Sequence, residues 1–282
     1  MTDTQSRITL TVKEGVAEVR LNRPDKLNAL DHAMYDALIE AGKQLHQEQD
    51  LRAVVMSAEG RAFCAGLDMQ VMANIAGSAT SGARAARTHG IANRSQYVSL
   101  VWRQLPVPVF AAVQGAAFGG GLQLALGADV RYVAADAKLS ITEINWGLVP
   151  DMGGMALTHG LVRSDVLREL IYTGRVVTGV EACELGLATH VVEDPRAAAL
   201  AAAQSVAHKN PDAVRALKRM MQVVEDQDSA AVLLSESIEQ DLLVGSPNQK
   251  EAVRANLEKR APQFQPTVTL PGFHVQQEVS RD

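Results

Sequence analysis

The chain has only two cysteines, Cys64 and Cys183, among 282 residues. They form neither a disulfide framework nor a metal-ligand spacing. The seven histidines show no paired ligand spacing either, so no metal site is expected. Aromatic residues make up 4%. No long basic run appears, so nucleic acid is not the expected partner. No apolar run approaches the ~20 residues that a membrane span needs. The opening Met1-Thr2-Asp3-Thr4-Gln5-Ser6-Arg7 lacks an apolar signal core. A reducing cytosol is therefore the expected compartment.

What is present suits one large domain, or one domain with an appendage. Hydrophobic residues reach 47% and the net charge is -5. Ile8 to Leu21 alternates on both sides of Glu14-Gly15 and reads as a β-hairpin. Asp31 is a candidate cap for a helix that carries Met34, Leu38, Ala41 and Leu45 on one face. Ala53 to Ala58 reads as a buried strand and Arg94 to Gln104 as a helix. Two short strands are expected over Asp129–Ala134 and Lys138–Thr142, and a third over Ala188–Val192. The Ala/Gly/Ser/Thr tract from Ala76 to Ala86 reads as a variable lid. Beyond Pro195 the pattern turns almost wholly helical. Strands alternating with helices, followed by helices alone, suggest a βα core and a helical appendage.

The stretch Gln114-Gly115-Ala116-Ala117-Phe118-Gly119-Gly120-Gly121-Leu122-Gln123-Leu124 stands at the centre of this pattern. An apolar run from Pro108 to Val113 enters it, and a helical run from Leu122 to Leu126 leaves it. Glycine lets the backbone turn sharply and lie close to a ligand. The first N–H groups of a helix lack intrahelical partners. The stretch therefore suits an anion or a developing oxyanion, or else close helix–strand packing. It is not a dinucleotide fingerprint, because Leu124 stands where that pattern needs glycine. It is not a phosphate loop, because Gly121 and Leu122 follow Gly120 where lysine and a hydroxyl residue are required.

Four blocks in order now resemble one family. They are Pro24-Asp25-Lys26-Leu27-Asn28-Ala29-Leu30, Phe63-Cys64-Ala65-Gly66-Leu67-Asp68, Gly115 to Leu124, and Glu143 to Gly154. A fifth, Glu258-Lys259-Arg260-Ala261-Pro262-Gln263-Phe264, is similar to the same family's usual ending. Together they resemble the crotonase superfamily, the enoyl-CoA hydratase/isomerase group. The resemblance implies an α/β fold, a spiral of ββα units, with a C-terminal helical trimerisation region. The expected division is a core over 1–195, an oligomerisation region over 196–264 and an irregular tail over 265–282. The implied partners are an acyl-CoA thioester substrate and copies of the chain itself, as a homotrimer or a dimer of trimers. Coenzyme A enters as part of the substrate, and no separate cofactor is implied.

The resemblance also implies roles for residues. The backbone N–H groups of Ala65 and Gly120 form the expected oxyanion hole. Lys26, Leu27, Ala29, Ala65, Gly66, Leu67, Asp68 and Gly120 form the expected coenzyme A path. Arg23, Lys26 and Arg61 are cations available to phosphates. Glu143 matches the principal acid/base, with Trp146 and Leu148 as neighbours that could desolvate it. Gln123 stands where hydratases of the family carry a second glutamate. An amide can hold a water but cannot exchange a proton. One-glutamate isomerisation, of the Δ3,Δ2-enoyl-CoA isomerase type, is therefore the expected chemistry. Hydration is an alternative, as is a dienoyl-CoA isomerase using Asp151, which lies where those enzymes place an aspartate. Other thioester-enolate reactions and a non-catalytic acyl-CoA scaffold complete the alternatives.

Overall fold

The computed structural model describes residues 6–76, 83–226 and 229–266. The hairpin forms as expected. β1 (Ile8–Lys13) and β2 (Val16–Leu21) pair antiparallel. Glu14 and Gly15 both take positive φ at the turn, the conformation that a tight hairpin needs. Asp31 then caps α1 (His32–Gln47) by accepting the Met34 N–H at 2.8 Å. Met34, Leu38, Ala41 and Leu45 are all buried on the expected face.

β3 (Ala53–Ala58) is buried at every position, as a parallel strand covered on both faces should be. α2 (Met69–Ala76) follows and ends on the first residue of the tract read from sequence as a lid. Residues 77–82 of that region lie outside the described residues. α3 (Arg94–Arg103) carries a complete capping box between Asn93 and Gln96. β4 (Val109–Val113) comes next, again buried throughout.

Between β4 and the helix that follows, the sequence leads straight from strand to turn. The structure inserts a further strand, β5 (Ala116–Phe118). Gly115 makes this possible with φ +58, where a Cβ would collide with the Arg61 carbonyl. Three residues are too few for a periodic signal. α4 (Gly120–Leu126), β6 (Val130–Ala134), β7 (Lys138–Ser140), α5 (Gly154–Thr158) and α6 (Ser164–Thr173) continue the chain. β8 (Val177–Thr178), α7 (Gly179–Glu184) and β9 (His190–Val192) close the strand-bearing part.

A six-stranded sheet runs β1-β2-β3-β4-β6-β9, parallel from β2 onward. A smaller sheet runs β5-β7-β8. The Cys64↔Ala117 bridge joins the segment after β3 to β5. The larger apolar core, with Leu30, Met34, Phe63, Trp102 and Leu122, lies on one face of the large sheet.

The other face is covered by α8 (Pro195–Ala207). Its Ala199 and Ala203 are fully buried against Val16, Ala53, Val55, Phe110 and Ala112. By packing, α8 belongs with the sheet, although its sequence reads as the start of the helical region. α9 (Pro211–Asp226) docks through Lys218 on Asp129 and through Arg215, which donates to the Leu51 carbonyl at 3.1 Å. α10 (Ser229–Leu243) packs on α9, and α11 (Pro247–Glu258) ends the described helices. The tail from residue 267 onward lies outside the described residues.

Gly121 tests the contact between the loop after β3 and α4. A Cβ there would collide with the Cys64 carbonyl and sit 2.8 Å from Cys64 Cβ. Gly121→Ala is expected to lower unfolding free energy by ~2–4 kcal/mol. Gly160→Ala, at φ +75 but in open space, should cost only ~1–2 kcal/mol. Urea denaturation of both variants measures the difference.

Candidate active site

Two backbone segments meet at the site. Phe63 and Cys64 donate to Gln114 and Ala116 carbonyls at 2.8 and 2.9 Å, and Phe118 returns a bond to Cys64 at 3.0 Å. This lays the loop after β3 along the turn that starts α4. Gly66, at φ +94, fits only because it lacks a Cβ. Such an atom would sit 2.8 Å from the Phe118 carbonyl and 3.9 Å from the Gly120 nitrogen.

The expected donor Ala65 is not free. Its N–H is bonded to the Leu27 carbonyl at 2.9 Å. Two residues on, Leu67 pairs with Leu30 as a parallel bridge. Leu30 donates to Gly66 and Asp68 donates to Leu30, at 2.8 and 3.0 Å. In such a bridge the central residue's own N–H points away from its partner. The Leu67 N–H accordingly bonds no backbone carbonyl among the described residues. Gly120 opens α4 behind Gly119, whose φ of 48 and ψ of -119 suit glycine, and no side chain caps that end.

Glu143 follows β7 on a single 3-10 turn, Glu143–Trp146. A Cβ on Gly119 would approach Glu143 Oε1 to 3.2 Å, so the bare glycine admits the carboxylate to the turn that carries Gly120. Oε1 accepts from Gln123 Nε2 at 2.6 Å. Oε2 is buried without a hydrogen-bond partner among the described residues. Burial raises the Glu143 pKa. The Asp151 charge pushes the same way, and Glu143's own backbone N–H and the Gln123 hydrogen bond oppose it. The neighbours expected to shield it, Trp146 and Leu148, remain 49% and 39% exposed. The Gly119 turn and Gln123 enclose the carboxylate instead.

Gln123 is only 3% exposed. Its Oε1 accepts the Met152 and Gly154 N–H groups, both at 2.9 Å. The amide is therefore a clamp, holding the 152–154 loop with one end and Glu143 with the other. Asp151 is half-exposed and reaches Arg84 Nε at 3.7 Å. Partial burial raises its pKa, and Arg84 opposes the rise.

The 23–30 segment, part of the expected coenzyme A path, is built around a residue that sequence reasoning passed over. Asn28 is fully buried at φ 55, a left-handed conformation that asparagine tolerates. Its Oδ1 accepts the Arg23 N–H at 2.8 Å. Its Nδ2 donates to the Glu59 and Ala62 carbonyls, each at 2.9 Å. An asparagine beside a proline-bearing turn was the available signal.

Two expected roles change here. Arg23 is spent on Asp68, at 2.6 Å, and on the Ala29 carbonyl. It is a tie between the two loops, not a free cation. The Asp68 side chain is likewise committed, to Arg23 and to the Gln70 N–H at 2.8 Å. Ala29 is buried, while Lys26 and Arg61 are exposed with no ion pair among the described residues. Burial pushes the Cys64 thiol up to about 12, so it is no thiolate nucleophile at neutral pH.

The raised Glu143 pKa has a consequence for stability. Above that pKa the folded protein carries a carboxylate that it disfavours relative to the unfolded chain. Glu143→Gln should therefore raise the melting temperature at pH 8. The gain should disappear as pH falls below ~4, where the unfolded glutamate is also protonated. Melting curves across that range test the sign.

The chain matches the Enoyl-CoA hydratase/isomerase family model over residues 11–267. It is 34% identical to the mouse "Enoyl-CoA hydratase domain-containing protein 2, mitochondrial", over 89% of this chain and 84% of that protein. It is 33% identical to the mouse "Delta(3,5)-Delta(2,4)-dienoyl-CoA isomerase, mitochondrial", over 74% of this chain and 66% of the other. A solved enoyl-CoA hydratase from Bacillus anthracis superposes with a TM-score of 0.83 at 30% identity, covering 92% of this chain and 98% of that one. On the family model and these relatives together, this chain is a crotonase-fold enzyme and belongs to the enoyl-CoA hydratase/isomerase family.

Proposed function

We propose that this enzyme moves a double bond within an enoyl-CoA, in the manner of a Δ3,Δ2-enoyl-CoA isomerase, with Glu143 as its single acid/base. The observation that carries this reading is the state of Gln123. Its oxygen holds two backbone N–H groups, and its nitrogen holds Glu143. An amide so committed neither exchanges a proton nor has an acceptor to spare for an attacking water.

The chemistry follows from the two oxygens of Glu143. Oε1 is held by Gln123, while Oε2 is unpartnered. Oε2 takes a proton from the carbon next to the thioester. The electrons of that C–H bond move into the thioester, whose oxygen becomes negative. The N–H groups of Leu67 and Gly120 stabilise that charge, and one such donor contributes ~3–4 kcal/mol to a transition state of this kind. Collapse of the enolate shifts the double bond into conjugation, and Oε2 returns the proton two carbons away. A pKa raised by burial suits a group that must both take and give a proton.

Lys26 and Arg61, both exposed, are read as the cations for coenzyme A phosphates, with Leu27, Gly66 and Leu67 along the path. The exposed apolar side chains of α9, α10 and α11, among them Leu217, Met221, Leu233, Leu234 and Leu257, are read as the surface of a trimer or dimer of trimers. One observation favours a second reading. Asp151 is a further carboxylate close enough to raise the Glu143 pKa, which is what hydration or a dienoyl-CoA isomerisation would require.

A paired assay separates the readings. A trans-3-enoyl-CoA should gain conjugated thioester absorbance at constant mass, and a trans-2-enoyl-CoA should resist hydration. Glu143→Gln should lower turnover by at least ~10³-fold while coenzyme A binding persists. Rapid gain of water by the 2-enoyl substrate, lost in Asp151→Asn, would establish the second reading instead.

A further inference from the structure

The buried hydroxyl of Tyr35 has no part in the chemistry above. Tyr35 sits on α1 and is 7% exposed. Its hydroxyl donates to Met152 Sδ at 3.0 Å. Hydroxyls rarely settle for a thioether, which is a weak acceptor. The bond therefore calls for an account of what it holds.

Met152 joins three parts of the site. A Cβ on Gly120 would sit 2.7 Å from its sulfur, so the thioether lies against the start of α4. Its own N–H is one of the two that anchor Gln123 Oε1. Gln123 in turn holds Glu143 Oε1. The links thus run in an unbroken line, from Tyr35 to the Met152 side chain, to the Met152 backbone, to Gln123 and to Glu143.

We infer that Tyr35 is a positioning residue, whose hydroxyl pins Met152 against Gly120 and thereby keeps the 152–154 loop in register to hold Gln123 on Glu143. The inference rests on Glu143 as the base of the proposed reaction. Tyr35 itself touches none of the groups assigned to the reaction. Its phenol stays protonated. Burial raises its pKa most, and the facing Asp151, Cys64 and Glu143 raise it further, while Arg94, whose guanidinium lies 5.4 Å from the ring centre, opposes them. The charged group that bears on Glu143 is Asp151, with Arg84 beside it, and the Tyr35 phenol is neutral. None of these charges is altered by removing a neutral hydroxyl. A shift in Glu143 titration would then report the hydrogen bond from Gln123.

That bond lowers the Glu143 pKa, so loosening it raises the pKa. The test is the Glu143 carboxyl titration in full-length protein, followed by carbon-13 NMR on glutamate-labelled samples, with the resonance assigned by its loss in E143Q. Y35F and M152L each remove one partner of the same bond at nearly constant volume. Each should move the midpoint up by roughly half a pH unit and lower kcat roughly tenfold with KM little changed. The double variant should shift no further than the larger single, because both changes break one interaction. An unmoved midpoint in both variants, or shifts that simply add, overturns the inference. If Y35F fails to melt cooperatively, M152L alone carries the test. Turnover that survives in E143Q would refute the proposed reaction, and the titration would still decide the role of Tyr35.

Discussion

The site depends on one close approach of backbone to backbone. The loop after β3 lies in contact with the start of α4, with Cys64 bonded to β5 and Gly66 facing the Gly120 nitrogen. Side chains at Gly66 or Gly121 would force the two segments apart, and protein interiors yield little to such strain. The distance between the backbone donors, the seat of Glu143 beside Gly119 and the exit of α4 all follow from this contact. Two sheets and the α1/α3 layer hold it from behind, through a core that includes Leu30, Phe63 and Leu122.

On that frame a single amide arranges Glu143. Gln123 leaves α4 one turn after the glycines and collects two N–H groups from the 152–154 loop. One of its two amide N–H groups goes to one oxygen of Glu143. The other oxygen is buried and unpartnered, which is a costly state for a carboxylate. A glutamate in place of Gln123 would set two carboxylates at hydrogen-bond distance, and they could not both ionise. The amide thus selects which single carboxylate carries charge.

The 23–30 loop shows another use of polar groups. Arg23, Asn28 and Asp68 read from sequence as a cation, a loop residue and a substrate contact. In the fold they bond to one another's backbone or side chain and fasten the 23–30 loop to the 59–68 loop. Such ties fix a binding surface without forming it. Lys26 and Arg61 remain exposed beside these ties.

Much of the fold was legible because it depends on local pattern. The β1–β2 hairpin, the Asp31 cap, the buried face of α1 and the continuous apolar strands β3 and β4 each express a period or a cap within a few residues. Glu143, Gln123 and the triple glycine were legible as a spaced set. Strand β5, too short to show a period, was not, and neither was the placement of α8 on the sheet, which small alanines permit but do not announce. Only the tertiary structure decided which groups were left free. Ala65 and Leu67 are both small-loop residues with one N–H each. The pairing of Leu67 with Leu30, distant in sequence, directs one N–H toward Leu27 and turns the other away. The engagement of Arg23 with Asp68 and of Tyr35 with Met152 was settled in the same way. The sequence determined which chemical groups exist and in which local conformations. Their partners come from segments far apart in the chain, so only the folded register determined which of them were spent on structure and which remained for chemistry.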